Sequence, residues 1–373
     1  MSKIHRDDKR IRKLLNLLDR SNMDILVGLD STTIRYLLGN LVDYSIAYIT
    51  RDGITGVITH VMEYERAKDV TWANEVLCYS HRETGDEYVI KAIDPIEAFM
   101  KKFNDGKLKI GIPYSRIAYS QFLKFTKKYE SILNADDILE EARMIKTDYE
   151  LELIKKACEI VDYGIKVSME IVKDGIREDE VALEAMYAMR KYGADRVYDF
   201  LIVASGYRSA YPHGRASNKV IRAGEAVTLD YVASYNGYYA DETRTIFLGK
   251  IPPELKKVYE VVLEAQNEAI NHIRDGVKAC DIDAVARSII SKYGYEKYFI
   301  HSTGHGLGLD VHERPRLSST DETILRENMV VTVEPGIYIP KIGGVRIEDD
   351  VLVKSDGAEI LTKNSKILEE MIV

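Results

Sequence analysis

The segment Leu229-Asp-Tyr-Val-Ala-Ser-Tyr-Asn-Gly-Tyr-Tyr-Ala-Asp241 places Asn236-Gly237 between two apolar and aromatic runs. That dipeptide is the strongest short-range signal for a two-residue β-hairpin turn, because both turn positions need a positive φ. With these residues at the turn, Tyr235 faces Tyr238 and Asp230 faces Thr243, so Asp241 becomes the diagonal neighbour of Asp230 on one face of the ribbon. Diagonal Cβ atoms lie about 7–8 Å apart or somewhat less, a separation from which two carboxylates can reach shared cations. A lone Asp after a strand is more often a turn residue or a helix cap, so the pair takes its meaning from what surrounds it.

What surrounds it is an internal repeat. Asp174-Gly175-Ile176 returns as Asp275-Gly276-Val277, and Lys191-Tyr192-Gly193 returns as Lys292-Tyr293-Gly294, each about 101 residues on (174 to 275, 191 to 292). Repetition at a fixed spacing marks one supersecondary unit used twice. Each copy reads as turn, helix, Gly stop and strands, with His213 downstream in the first copy and His301, His305 and His312 in the second. Each copy ends in a carboxylate pair on strand-like sequence: Val227-Thr-Leu-Asp230 answers to Val331-Thr-Val-Glu334, and Asp241 to Glu348. Two similar halves facing each other across a pseudo-two-fold axis would bring four carboxylates to one place.

The connection between Glu334 and Glu348 contains Pro340 and Gly343-Gly344, so the register of that pair stays open. His305 stands among three glycines in His301-Ser-Thr-Gly-His-Gly-Leu-Gly308, where backbone can approach closely. Four carboxylates and one imidazole without a thiolate form an oxygen-rich, fairly hard donor set, suited to manganese, cobalt, iron or zinc in a two-metal cluster more than to a structural zinc site. Two ions about 3.5–4 Å apart can lower the pKa of a water and polarise a carbonyl, hydrolysing an amide without a nucleophilic side chain. His60, His81 and His272 have no comparable context, and surface or core roles suit them.

Outward from this region the chain divides. Ile11, Leu14, Leu15 and Leu18 recur at helical spacing between Arg10 and Asp19, and Asp24-Ile-Leu-Val-Gly-Leu, the apolar stretch from Tyr44 to Ile49, and Ile54 to Ile58 after the Arg51-Asp-Gly53 turn read as strands. A charged connector follows Leu133, and a long helix begins near Asp148; these features place the boundary between an N-terminal domain, 1–131, and a C-terminal domain, 132–373. A chain of 373 residues accommodates two such domains. The net charge of −8, with both signs interspersed, argues against nucleic acid as a partner. No apolar run is long enough to span a bilayer, and the polar start Met1 to Leu15 has no signal-peptide core, so no membrane association and a cytoplasmic location are expected. Cys78, Cys158 and Cys280 are too scattered for a disulfide framework.

The segments Tyr211-Pro-His-Gly, Tyr239-Ala-Asp-Glu-Thr-Arg-Thr245, Thr303-Gly-His-Gly-Leu-Gly-Leu-Asp-Val-His-Glu313, Val331-Thr-Val-Glu-Pro-Gly336 and Gly344-Val-Arg-Ile-Glu-Asp349 resemble, in order, the successive motifs of the pita-bread metallopeptidases. Asp24-Ile-Leu-Val-Gly-Leu with Ile34-Arg-Tyr-Leu-Leu-Gly39 is similar to the N-terminal domain of the creatinase/prolidase type, so the likeness spans nearly the whole chain. The resemblance implies an α/β (α+β) architecture: a creatinase/prolidase-like N-terminal domain with a mixed sheet, then a pita-bread catalytic domain.

It further implies cleavage of Xaa-Pro bonds in dipeptides by a dinuclear metallopeptidase, with proline-containing dipeptides or short peptides as substrates and a homodimer as the assembly. Two divalent metal ions, manganese or cobalt before zinc or iron, would sit on Asp230, Asp241, His305, Glu334 and Glu348, with Asp241 and Glu348 bridging. Glu334 would serve as general base or proton shuttle. His213 and His312 would contact substrate and stabilise the tetrahedral intermediate, with His301 as a further pocket residue. Arg346 would hold a substrate carboxylate or support a ligand from behind, and Thr245 would orient Asp241. Val232 departs from the glycine more usual after the Asp-Tyr pair, which bears on pocket shape.

Three alternatives stand beside this reading: an Xaa-Pro aminopeptidase acting on longer peptides, a creatinase-like amidinohydrolase that works without metal, and a non-catalytic pita-bread binding protein. All five ligand positions are retained, which disfavours the last two.

Overall fold

A computed structural model describes residues 6–82 and 85–373; the first five residues of the polar start lie outside the described residues. The chain forms two compact units, Met1–Arg143 and Met144–Val373.

In the first unit, Asp7 caps the helix Asp8–Arg20 by accepting from the Arg10 N–H, so the amphipathic pattern read from Arg10 onward begins two residues earlier. Seven strands form one sheet: β1 (Ile25–Gly28), β2 (Ile46–Thr50), β3 (Thr55–His60), β4 (Glu75–Ser80), β5 (Val89–Lys91), β6 (Lys109–Ile112) and β7 (Ser131–Asn134), in the order β5-β4-β3-β2-β1-β6-β7. The pairings β1–β2 and β2–β3 are antiparallel while β3–β4, β4–β5, β1–β6 and β6–β7 are parallel, giving the expected mixed sheet. Gly53, at φ 90°, makes the turn between β2 and β3. All four residues of β1 are buried, as its continuous apolar run requires of a strand covered on both faces. Ile25, Val27, Ile46, Tyr48, Phe99 and Phe125 belong to the core beside it. Because β7 pairs along its whole length with β6, the division between the units falls after Arg143 and not after residue 131.

In the second unit the repeat is structural. The helices Asp148–Ile171 and Glu178–Tyr192 of the first copy correspond to Pro253–His272 and Ala279–Lys292 of the second. The turns joining them use the same hydrogen bonds: Gly175 N–H donates to Ile221 O and Ile221 N–H to Ile176 O, while Gly276 N–H donates to Leu325 O and Leu325 N–H to Val277 O. Gly175 and Gly276 hold φ 93° and 90°, a conformation open to glycine at no steric cost.

The first copy then builds β8 (Arg196–Val197), β9 (Ile202–Ser205), β10 (Ala226–Tyr235) and β11 (Tyr238–Phe247). The second builds β12 (Gly304–Gly306), β13 (Glu313–Leu317), β14 (Val330–Val333), β17 (Asp349–Val353) and β18 (Ala358–Ile360), with β15 (Gly336–Ile339) and β16 (Gly343–Arg346) as a separate ribbon. This is the pita-bread architecture. No helix among the described residues is long and apolar enough to cross a membrane.

Candidate metal centre

The hairpin β10–β11 has the register read from its turn: Tyr235 pairs with Tyr238, Asp230 with Thr243 and Val232 with Asp241, while Asn236 and Gly237 take φ 47° and 82°. In the second copy the last registered pair of β14 and β17 is Val333 with Asp349. Glu334 and Glu348 stand one step beyond it, facing each other from the two chain segments, and the register left open by the sequence is thereby fixed.

His305 enters from β12, where neighbouring backbone comes very near: a Cβ at Gly304 would lie 1.9 Å from Thr332 O, and one at Gly306 would lie 2.4 Å from Arg314 O. Glycine is therefore needed on both sides of the imidazole for the strand to seat. His305 Nδ1 pairs with Gly306 O at 3.0 Å, which leaves Nε2 facing the acids, 3.4 Å from Glu334 Oε1 and 4.0 Å from Asp241 Oδ2. Burial, with His312 adding to it, lowers its pKa to about 3, so the ring is neutral and its Nε2 lone pair is free to bind a cation.

Ligand atoms of Asp241, His305 and Glu348 lie within 4.8 Å of one another, and all three residues are buried. Asp241 Oδ1 and Glu348 Oε1 are buried without any hydrogen-bond partner. Burial, with Glu348 and Asp230 nearby, raises the Asp241 pKa well above the ordinary carboxylate range. Burial, with Glu334 and Asp230 nearby, does the same to Glu348. Glu334 is pushed up to about 8 by burial, against the pull of Arg346. Buried carboxylates with unsatisfied oxygens are costly unless a proton or a cation compensates them, so the donor set fits divalent cations.

All five residues line one cavity of about 540 Å³, together with His213, His301, His312 and Arg346. They do not cluster equally. Asp241, His305 and Glu348 form the core of the group and Glu334 joins through His305, whereas the Asp230 carboxylate is engaged by Arg346 Nη2. The His305 and His312 rings meet edge to face at 4.3 Å, and His213 and His312 stand at the open side of the cavity. His301 lies deeper, its Nε2 2.8 Å from the Tyr338 hydroxyl; burial, with Arg346 beside it, lowers its pKa to about 4.

Two expectations take a different form. Thr245 does not orient Asp241: its hydroxyl donates to Arg346 O and accepts from Arg346 N–H, because it pairs with the neighbouring β16 ribbon. The hydroxyl on the acids is Thr243, which donates to Glu348 Oε2 at 2.6 Å, and Asp241 is held through its backbone N–H by Asp350 Oδ2 at 3.0 Å. Arg346 is buried, with its donors spent on Asp230, Tyr338 and Thr243. Its geometry suits support of Asp230 from behind, not capture of a substrate carboxylate. The sequence reading passed over Arg316, which is exposed and lines the same cavity, as does Arg215; Arg316 sits four positions after His312, a spacing that only the strand β13 makes meaningful.

The model of the creatinase/prolidase N-terminal domain matches residues 10–145, and that of metallopeptidase family M24 matches residues 152–355. The Xaa-Pro dipeptidase of Pyrococcus furiosus is 39% identical over 361 residues, covering 96% of this chain and 99% of that protein. Among solved structures, the prolidase of Pyrococcus horikoshii superposes with a TM-score of 0.86 at 38% identity, covering 96% and 99% of the two chains. The X-Pro aminopeptidase of Thermotoga maritima gives a TM-score of 0.86 at 35% identity, covering 95% and 99%. The chain therefore belongs to metallopeptidase family M24, whose enzymes use divalent metal, and carries the creatinase/prolidase domain ahead of its pita-bread catalytic domain.

Proposed function

We propose that this enzyme is an Xaa-Pro dipeptidase that works with two divalent ions, manganese or cobalt before zinc or iron, which Asp230, Asp241, His305, Glu334 and Glu348 would hold, Asp241 and Glu348 serving both. The observation that carries the reading is the convergence of Asp241, His305 and Glu348, two of them with a buried, unpartnered oxygen, on a cavity whose open side carries His213, His312 and Arg316. When bound, the ions acidify a water and polarise the scissile carbonyl.

The protein's own groups supply the rest. Glu334 accepts the proton of the attacking water and passes it to the departing proline nitrogen, a shuttle open to a carboxylate that lines the cavity 3.4 Å from His305 Nε2. His213 and His312 offer ring N–H donors to the oxyanion that develops on the carbonyl. Arg346 keeps Asp230 in place, and Arg316 receives the carboxylate of the dipeptide. Proline has no amide N–H, so a site that grips the substrate by its carbonyl and its two termini loses nothing when the bond is an imide.

An Xaa-Pro aminopeptidase is the second reading, favoured by the likeness to the Thermotoga maritima enzyme. Turnover of Ala-Pro against Ala-Pro-Ala decides between them. The dipeptidase reading expects the dipeptide to be cleaved at least tenfold faster in kcat/KM; preference for the tripeptide contradicts it.

A further inference from the structure

Among the buried carboxylates of the second unit that the chemistry above does not use are Glu178 and Asp283. Both are built in the same way. Glu178, at the start of the helix Glu178–Tyr192, accepts from the N–H and the hydroxyl of Ser205 with one oxygen, each at 2.8 Å. Its other oxygen takes the Ser217 hydroxyl at 2.7 Å and an Arg208 guanidinium N–H. In the other copy, Asp283 of the helix Ala279–Lys292 accepts from the N–H of Thr303 at 3.0 Å and from its hydroxyl at 2.8 Å with one oxygen, and from Arg287 Nε at 2.6 Å with the other. Both carboxylate side chains are completely buried.

Each guanidinium then reaches past its carboxylate to the backbone beside a cavity histidine. Arg208 Nη2 donates to Arg215 O at 2.8 Å, and Arg215 N–H donates to His213 O at 2.9 Å. Arg287 Nη2 donates to His301 O, while its Nη1 donates to Phe299 O at 3.3 Å. Thr303, gripped by Asp283, in turn accepts the Glu334 N–H at 2.7 Å. The Phe299–Thr303 segment is therefore tied to Asp283 directly and through Arg287, and the Tyr211-Pro-His-Gly loop is flanked by Ser205, Arg208 and Ser217, all held by Glu178, and joined to it through Arg208 and Arg215.

We infer that Glu178 with Arg208, and Asp283 with Arg287, are a duplicated pair of positioning clasps: the first sets His213 against the substrate, and the second sets His301 together with the backbone of Glu334. The inference rests on the reading of the cavity as the substrate site. Its physical basis is that a charge-assisted bond to a buried carboxylate fixes a loop more tightly than solvent contacts do, and that a displacement of about 1 Å at a reacting group can cost about 100-fold in rate.

The test uses paired substitutions that keep or remove the gripped hydroxyl in the full-length, metal-loaded enzyme: Thr303→Val against Thr303→Ser, and Ser205→Ala against Ser205→Thr. Steady-state kinetics on Ala-Pro, metal content, thermal melting and the 15N ring shifts of His213 and His301 are read for each. Thr303→Val and Ser205→Ala are expected to lose about 10–100-fold in kcat with KM within about threefold. Each is expected to move the ring signals of its own histidine and not of the other, while Thr303→Ser and Ser205→Thr stay within about threefold of the parent. Unmoved ring signals in Thr303→Val and Ser205→Ala overturn the inference, and so does a kcat loss no larger than the loss of folded, metal-loaded protein. If the unsubstituted enzyme does not cleave Ala-Pro, the substrate reading fails by itself, and the ring shifts still decide whether the clasps place the histidines.

Discussion

His305 Nε2 faces Glu334 Oε1 at 3.4 Å, and this contact joins two residues that lie on separate strand segments of the same repeat copy. With Nδ1 committed to a carbonyl, the imidazole has one direction left in which to act, and that direction holds Asp241, Glu334 and Glu348. The first copy contributes Asp230 and Asp241, the second contributes the remaining three, and the cavity closes over the junction of the two.

Asp241→Asn and Glu348→Gln each remove one charge from the crowded acids. We expect activity to fall at least about 1,000-fold, because a shared carboxylate neutralises both ions. The same variants without metal should melt at or above the temperature of the metal-free parent, since relief of like-charge repulsion offsets the lost side-chain contacts. Calorimetry after exhaustive chelation checks this; a metal-free variant several degrees less stable than the metal-free parent would show that the acids are not frustrated.

Gly304→Ala would place a methyl carbon 1.9 Å from Thr332 O. Backbone cannot yield as a flexible side chain does, so a loss of about 1–3 kcal/mol or more is expected, together with weakened metal binding as His305 shifts. Urea unfolding and metal titration measure the two effects. A variant with unchanged stability would mean that the strand carrying His305 has slack.

Arg316→Gln removes one exposed cation at the open side of the cavity. KM for Ala-Pro should rise about 10–100-fold, as expected for the loss of a charge-assisted bond to a carboxylate, while Ala-Pro-amide should be little affected. Equal effects on both substrates would assign Arg316 to something other than the substrate carboxylate.

The retained hairpin turn made Asp230, Thr243 and Asp241 readable in register, because a two-residue turn leaves no freedom in pairing. The repeat made the second pair of acids readable as partners, though not their alignment, since the Glu334 to Glu348 connection forms its own β15–β16 ribbon. Thr243, Tyr338 and Asp350 escaped because their roles arise from contacts between distant segments: Thr243 meets Glu348, Tyr338 meets His301 and Asp350 meets Asp241. No spacing along the chain encodes such contacts. The domain boundary escaped for a similar reason: β7 looks like connector until β6 is beside it.

Arg244 shows what supports the centre from behind. Fully buried, it pairs with Glu242 at 3.0 Å and with Asp349 at 2.7 Å, and it donates to the backbone oxygens of Thr243, Glu348, Asn364 and Ser365. Arg244→Met leaves two buried carboxylates without their shared partner, and a destabilisation of about 3–5 kcal/mol is expected. Equilibrium unfolding gives the value; a loss below about 1 kcal/mol would mean that Lys366, 2.6 Å from Asp349, already suffices for that acid.

The most direct measurement is anomalous diffraction at the manganese and cobalt edges from crystals of the metal-loaded protein. The account expects two anomalous peaks per chain, both in contact with Asp241 and Glu348, with Asp230 on one and His305 and Glu334 on the other. A single peak, no peak in this cavity, or two peaks that Asp241 and Glu348 do not share would contradict it.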